Sequence, residues 1–232
     1  MSIHEGHRER MRKRFFHEGM DHFSDYEALE LLLYYAIPRK DTNPIAHSLI
    51  DHFGSLGQVL DASVEELEQV SGISRNAAVL IHLVVGLGRL YGVKRAEEIK
   101  ILDTIEECGE YLKPYFFGRV NETVFLLCLD ARCKVINCRK VGEGSVNSAS
   151  ISIRKIVEVA LGSNAVSVVL AHNHPSGLAI PSAEDIQTTR RLGLALNAVE
   201  ILLADHIVIA EDEFVSIVQS GMYNPYENPE LI

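Results

Sequence analysis

The second half of the chain alternates between apolar runs of strand length and segments whose apolar residues recur at a helical period. Ser167–Ala171 (SVVLA) is rich in β-branched residues and is typical of a buried strand. Two further apolar runs flank Asp130-Ala131-Arg132, which is typical of a hairpin turn. The pattern predicts a sheet flanked by helices. The predicted strands are 121–130, 133–141, 167–171, 199–210 and 213–218, and the predicted helices are 150–162 and a helix that starts at 105 and is ended by Pro114 and Gly118.

The first half of the chain has helical apolar periods. Ser24, followed three residues later by Glu27, predicts a helix N-terminus, and Pro44 opens another helix that ends at Gly54. The stretch Lys94–Lys100 (KRAEEIK) is charged and has no apolar period, so it predicts a linker. We therefore expect a helical domain over 1–95, a linker over 96–103 and a second domain over 104–232.

The charge balance disfavours a general nucleic-acid binder. The net charge is -10 at pH 7, whereas such proteins usually carry a basic face. Residues 1–100 hold 12 basic and 15 acidic residues and residues 101–232 hold 10 and 17, so the acidity lies mostly in the second half. The one dense basic cluster, residues 8–14, is interpreted as a solvated helix start in preference to a phosphate or acidic-partner contact.

The chain is expected to be cytoplasmic, without a membrane partner. Its longest apolar runs are far shorter than a membrane span, and its first sixteen residues contain no apolar core of the kind that a secretory signal has. The four cysteines match no zinc-ribbon spacing and are interpreted as reduced thiols.

Two histidines and an aspartate follow the buried strand closely. Side chains two residues apart on extended backbone point the same way, so His172 and His174 can face one common point. Residues 181–185 are typical of a helix opening, which places Asp185 near a helix N-terminus and within reach of the histidines. Three protein ligands leave the fourth position of a tetrahedral zinc for water, as in catalytic zinc sites. A capping box alone also explains Ser182 and Asp185, but not the histidines.

These residues resemble a known motif. The run His172-Asn173-His174-Pro175, with ten residues between His174 and Asp185 and with Ser182 three before the aspartate, resembles the JAMM (MPN-plus) metalloprotease motif. The segments 172–177 (HNHPSG) and 202–210 (LLADHIVIA) narrow the resemblance to the bacterial RadC family. It implies a small helical domain followed by a cytidine-deaminase-like α-β-α MPN domain of the α+β or α/β class. It also implies one zinc ion and hydrolysis of peptide or isopeptide bonds in an unknown protein or peptide substrate.

Hydrolysis also requires a base, and the motif has no carboxylate beside its histidines. Glu122 opens an apolar strand in which an unpaired buried carboxylate would be costly, and it matches the strand glutamate of the JAMM pattern. Glu143, which lies between two glycines, is the alternative base, although a turn explains it more simply. The resemblance assigns Ser182 to the oxyanion of the tetrahedral intermediate.

The pair Asp205-His206 lies inside an apolar strand and echoes a family segment. The pair is interpreted either as an outer partner that orients a metal ligand or, by a narrow preference, as a core pair without a function.

Residues 53–91 resemble a helix-hairpin-helix. The turn Gly72-Ile73-Ser74 could present backbone N–H groups to a phosphate, and DNA is then an expected partner of the helical domain. Ser74 stands where glycine is usual, which restricts a close backbone approach. A compact helical bundle that packs against the second domain or another protein is an equal alternative.

Three other classes of function compete with the peptidase. A zinc nucleobase deaminase needs H-x-E and P-C-x-x-C motifs, and the sequence has neither. Non-haem iron oxygenases also use two histidines and a carboxylate, but typically within an all-β shell. A DNA-repair or DNA-binding protein, in which the metal site has a DNA-processing or structural role, remains the alternative to the peptidase.

Overall fold

The chain divides into two units, residues 1–88 and 89–232. The computed structural model describes residues 3–144 and 152–226. A helical region is followed by a mixed α/β sheet domain, so the predicted fold class is confirmed. The helices are α1 (Ile3–Glu18), α2 (Asp25–Leu33), α3 (Asn43–Phe53), α4 (Leu56–Asp61), α5 (Val64–Leu67), α6 (Arg75–Ala96), α7 (Ile105–Phe116), α8 (Ile153–Gly162) and α9 (Ala183–Asn197). The strands are β1 (Glu122–Leu129), β2 (Val135–Gly144), β3 (Ser167–Asn173), β4 (Leu202–Ala210) and β5 (Glu213–Ser216).

Helix α2 begins, and helix α3 begins and ends, where the sequence predicts. Ser24 and Glu27 form a capping box at α2, and Gly54 adopts the left-handed conformation that ends α3. The basic cluster of α1 is less solvated than its charge pattern indicates. Arg8 donates to the carbonyl oxygen of Ile37 at 2.8 Å, and Arg14 forms a 2.6 Å ion pair with Glu27. These two arginines therefore hold α1 against its own unit.

Helix α6 carries the chain from the first unit into the second. The division falls between Gly88 and Arg89, inside this helix, and not in the predicted linker at 96–103. Val93 and Ala96 pack in an apolar core of the second unit. The charged side chains around them obscure this apolar pair in the sequence, and the predicted boundary is therefore too late in the chain.

Helix α6 is also the one helix of the described residues that is long and apolar enough to cross a membrane. It meets this condition by its length and composition alone. One such helix is weak evidence by itself, because core helices of soluble proteins have the same composition. Ala77, Ala78 and Ile81 of α6 are fully buried in the core of the first unit. A chain without a membrane partner stays a prediction.

The second unit is built on a five-stranded sheet in the order β2-β1-β3-β4-β5. Strands β3 and β4 are parallel, and the other neighbouring strands are antiparallel. Helix α9 makes the crossover that a parallel pair requires. The carboxyl end of β3 is therefore followed, after a short loop, by the N-terminus of α9, and such strand ends are where α/β proteins place ligands.

Apolar side chains cover both faces of the sheet. Helix α7 packs on the face that includes Leu127 and Val169, and α8 and α9 pack on the face that includes Leu126 and Leu170. The helix predicted to end at Pro114 and Gly118 is observed as α7 and ends at Phe116, just before Gly118, whereas Pro114 lies inside its last turn and does not end it. The predicted helix 150–162 is observed from Ile153 onward as α8, and its first residues, 150 and 151, lie outside the described residues.

The four cysteines are free thiols, as predicted. Burial raises the pKa of Cys108 to about 12, which keeps this thiol protonated.

Candidate metal centre

His172, His174 and Asp185 converge at the carboxyl end of β3. His172 lies in the strand, His174 directly follows its last residue, and Asp185 lies in the first turn of α9. The two Nε2 atoms are 2.9 Å apart, and His172 Nε2 is 3.2 Å from Asp185 Oδ1. Asp185 Oδ2 is 3.5 Å from His174 Nε2. Among the described residues, this is the one group of histidine, cysteine and carboxylate side chains whose donor atoms lie close enough to hold a metal ion.

The spacing of these atoms suits a small dication. Bonds of about 2.0–2.2 Å at tetrahedral angles place neighbouring ligand atoms roughly 3.3–3.6 Å apart. The three separations here run from 2.9 to 3.5 Å. A slight parting of the two imidazoles is therefore enough to accommodate the ion.

The loop between the ligands determines which nitrogen of His174 carries a proton. His174 Nδ1 lies 3.2 Å from the carbonyl oxygen of Leu178. Because a carbonyl oxygen only accepts, Nδ1 carries a proton, and Nε2 is the nitrogen whose electron pair can bind a metal ion. That pair faces the Asp185 carboxylate and the His172 ring. Lone pairs on nitrogen and carboxylate oxygen atoms repel one another at this distance. The arrangement is therefore favourable only when a cation or a shared proton lies between them.

The capping box at the start of α9 fixes the Asp185 carboxylate. Oδ2 accepts hydrogen bonds from the Ser182 backbone N–H at 2.7 Å and from the Ser182 hydroxyl at 2.6 Å. Burial raises the pKa of Asp185, whereas a proton on Nε2 of His172 and the hydrogen bonds from Ser182 lower it, and the net shift is downward. The carboxylate is therefore charged near neutral pH, as a metal ligand must be.

Glu122 lies on the same face of the sheet as His172. Val124 is paired with His172 across β1 and β3, and Glu122 stands two residues before Val124, so strand alternation directs it to that face. Its side chain is half-buried. Burial raises the pKa of Glu122, and the negative charge of Asp185 acts in the same direction. This raised pKa and this position suit a residue that takes up a proton beside the centre.

Glu143 points to the opposite face. It is paired with Thr123 across β1 and β2, and Thr123 alternates with Glu122. Its exposed carboxylate forms an ion pair with Lys140, whose hydrogen bond lowers the pKa of Glu143. Glu143 therefore has neither the direction nor the proton affinity that the alternative assignment required.

Ser182 has the capping role that the sequence also predicted. Its hydroxyl accepts from the Asp185 backbone N–H at 3.1 Å and donates to Asp185 Oδ2. The hydroxyl proton is thus engaged within the centre, and the oxyanion role of Ser182 stays a prediction.

The two members of the pair Asp205-His206 have different surroundings. His206 is fully buried on the face of the centre, with its Nε2 2.8 Å from Nδ1 of His172. Asp205 accepts from its neighbour's backbone N–H at 2.7 Å and from that of Val218 at 3.2 Å. Burial raises the pKa of Asp205. His206 is therefore in contact with a predicted ligand, whereas the Asp205 carboxylate caps the backbone N–H groups of His206 and Val218.

Two residues near the centre have no signal in the metal motif itself. Thr189, one helical turn after Asp185, lies with its Oγ1 2.6 Å from Nδ1 of His206. Asn173, between the two histidines, accepts a hydrogen bond from the Thr123 backbone N–H at 2.7 Å. The i, i+4 spacing from Asp185 would have placed Thr189 on the ligand face of the helix.

The predicted phosphate-binding turn lies in the first unit and is largely engaged in folding. Ile73 is buried in the core, and its backbone N–H donates to the carbonyl oxygen of Val70 at 3.1 Å. Gly72 has a φ of +93° and packs against Ile45. Next to the turn, Arg75 is paired with Glu68 at 3.1 Å. Packing explains Gly72 and Ile73, and phosphate binding by Gly72, Ile73 and Ser74 stays a prediction.

Comparison with known proteins extends the likeness beyond the centre. A sequence model described as the RadC-like JAB domain matches residues 102–222, and one described as the UPF0758 N-terminal region matches residues 4–79. The chain belongs to the RadC family. The JAB match contains every residue of the candidate centre.

Relatives in this RadC family match along most of their length. UPF0758 protein FN0909 of Fusobacterium nucleatum is 34% identical over 228 residues, which cover 94% of this chain and 97% of that protein. A UPF0758 protein of Acinetobacter baylyi is 35% identical over 96% of this chain and 85% of its own length. One of Paraburkholderia xenovorans is 33% identical over 90% of this chain and 83% of its own. Their names state no activity.

Proposed function

We propose that this RadC family member is a cytoplasmic, zinc-dependent hydrolase that cleaves peptide or isopeptide bonds. One observation carries the proposal: two imidazole nitrogens and a charged carboxylate converge within 3.5 Å of one another, on the face of the sheet to which Glu122 is directed. JAB domains are a class in which metal-dependent hydrolysis is expected, and the match supports the same assignment.

The donor set fits zinc. Two histidines and one aspartate supply nitrogen and oxygen ligands and leave a coordination position open, as catalytic zinc sites do. His172, His174 and Asp185 would hold the ion. When bound, zinc supplies Lewis acidity, which polarises a carbonyl group and makes water a better nucleophile near neutral pH. A non-haem iron oxygenase uses similar ligands, but the helices on both faces of this sheet differ from its usual all-β shell.

Glu122 is assigned to proton transfer. Amide hydrolysis requires a group that removes a proton from water and delivers it to the leaving amine. Burial raises the pKa of Glu122. This pKa therefore lies closer to neutral pH than the pKa of an exposed carboxylate. Glu143 is paired with Lys140 and faces away, so it is the weaker candidate.

Ser182 is assigned to the developing negative charge on the substrate oxygen. It lies at the rim of the centre with an exposed side chain, bonded to the ligand Asp185. Its hydroxyl can turn from the carboxylate to an oxyanion, because its backbone N–H continues to hold Asp185 Oδ2 at 2.7 Å.

A paired comparison of glutamate variants tests the proposal. The full chain, loaded with one equivalent of zinc, is assayed on a quenched-fluorescence peptide library and on a matched library joined through lysine side chains. We expect Glu122→Gln to retain zinc and lose at least about 100-fold in turnover, whereas Glu143→Gln retains both. Equal turnover of wild type and Glu122→Gln, or no turnover of either library by the zinc-loaded wild type, would contradict the proposal.

A further inference from the structure

His206 links the metal centre to the interior of the second unit. Its Nε2 is 2.8 Å from Nδ1 of His172, and its Nδ1 is 2.6 Å from Oγ1 of Thr189. All three side chains are fully buried, with relative exposures of 0% for His172, Thr189 and His206. The three residues come from β3, α9 and β4. This row of hydrogen-bonded side chains therefore joins the crossover helix to both parallel strands.

The single hydroxyl proton of Thr189 determines which atom donates in each hydrogen bond of this row. Its Oγ1 donates to the backbone carbonyl oxygen of Asp185 at 2.6 Å. A carbonyl oxygen only accepts, so the hydroxyl proton is committed there. Toward His206 the threonine oxygen can then only accept, and Nδ1 of His206 must carry the proton of that hydrogen bond.

The same argument about donors and acceptors applies to His172. A His172 ring that binds a metal through Nε2 has its one proton on Nδ1, so toward His206 it can only donate. With its proton on Nδ1, His206 accepts through Nε2, and the 2.8 Å contact requires Nδ1 of His172 to donate. The proton of His172 is then on Nδ1, and its Nε2 directs a free electron pair toward His174 and Asp185.

We propose that Thr189 and His206 are positioning residues that hold His172 in the Nδ1–H tautomer and so present its Nε2 to the metal. This inference rests on the metal centre of the proposed function. It adds a partner of an unusual kind, since metal-bound histidines most often donate to a carboxylate, a backbone carbonyl or water. His174 has such a carbonyl, that of Leu178. One threonine hydroxyl thereby touches both the helix turn that carries Asp185 and the histidine that orients His172.

The tautomer is measured on the metal-free, full-length protein by long-range ¹H–¹⁵N correlation of ¹⁵N-labelled histidine at pH 8. We expect Nδ1 of His172 to be protonated and its Nε2 to be bare. In Thr189→Val the oxygen is lost at nearly constant shape, and the His172 nitrogens should move toward averaged shifts. Thr189→Ser restores the hydroxyl and should restore the wild-type pattern. Thr188→Val, the neighbouring position on α9, is the matched control.

Zinc affinity is the second readout, measured by competition with a chromogenic chelator. Loss of an orienting partner typically lowers metal affinity by about 10–100-fold, and we expect this loss in Thr189→Val but not in Thr189→Ser or Thr188→Val. A proton on Nε2 of His172 in the wild type, or unchanged tautomer and affinity in Thr189→Val, would overturn the inference. Neither readout depends on turnover, so absence of hydrolysis would reject the proposed function and leave this result standing.

Discussion

Thr123 donates its backbone N–H to the side-chain oxygen of Asn173 across 2.7 Å, and this bond connects the backbone beside Glu122 to the residue between the two histidine ligands. The Asn173 amide group also donates to the carbonyl oxygens of Asn121 at 3.2 Å and Arg119 at 3.4 Å. One side chain thus holds the backbone on both sides of Glu122. Asn173 of β3 therefore fixes the backbone of the candidate base on β1 beside the two histidine ligands.

Asn173→Ala should weaken both folding and turnover. It leaves the buried Thr123 N–H without its acceptor, which costs about 1–3 kcal/mol of unfolding free energy. Because the backbone around Glu122 is then free to shift, turnover should fall more than zinc content does. Urea unfolding and metal analysis measure the two effects, with the exposed Asn197→Ala as control. A variant with wild-type turnover would show that Glu122 needs no such support.

Glu122→Gln should stabilise the metal-free protein at pH 8. Burial raises the pKa of Glu122 in the folded state, so its ionisation costs folding free energy. The advantage of glutamine is complete above the folded-state pKa and disappears as pH falls below the unfolded value of about 4.3. Urea unfolding with a chelator present, at pH 8 and pH 4, measures it. A variant that is less stable than wild type at pH 8 would contradict the role of burial.

Ser182→Ala should lower turnover as well as the free energy of unfolding. Removal of a capping side chain costs about 0.5–2 kcal/mol of unfolding free energy, and removal of an oxyanion donor costs about 10²–10³ in turnover. Thr104→Ala breaks the matching capping box of α7, far from the centre in sequence, and should show only the first effect. If both variants keep full turnover, Ser182 is a capping residue alone.

Gly109→Ala should destabilise the second unit although alanine favours helices. A Cβ at this position of α7 would overlap the ring of Phe214 on β5, so the ring or the helix must shift. Such overpacking costs about 1–3 kcal/mol. Gly86 in α6 has open space at the same atom, and Gly86→Ala should gain about 0.5–1 kcal/mol. Thermal unfolding compares the two, and a more stable Gly109→Ala would refute the close packing of α7 on β5.

The sequence could reveal the ligands because their geometry is local. His172 and His174 share a face by strand alternation, and the distance to Asp185 is bridged by a short loop and a capping box, each with its own sequence signal. His206 lies 34 residues from His172 in the chain, and their contact depends on the parallel register of β3 and β4, which has an irregularity at Val168. No local pattern encodes that register. For the same reason, the pairing of Glu143 with Thr123 was visible only in the folded sheet.

The most direct test of the account is the zinc content of the full chain, measured by native mass spectrometry after exposure to one equivalent of zinc. We expect one zinc ion per chain in the wild type and in His52→Ala, whose histidine is exposed and in the first unit, and almost none in His174→Ala. Equal zinc in wild type and His174→Ala would contradict the central claim, and so would a wild-type chain that takes up none.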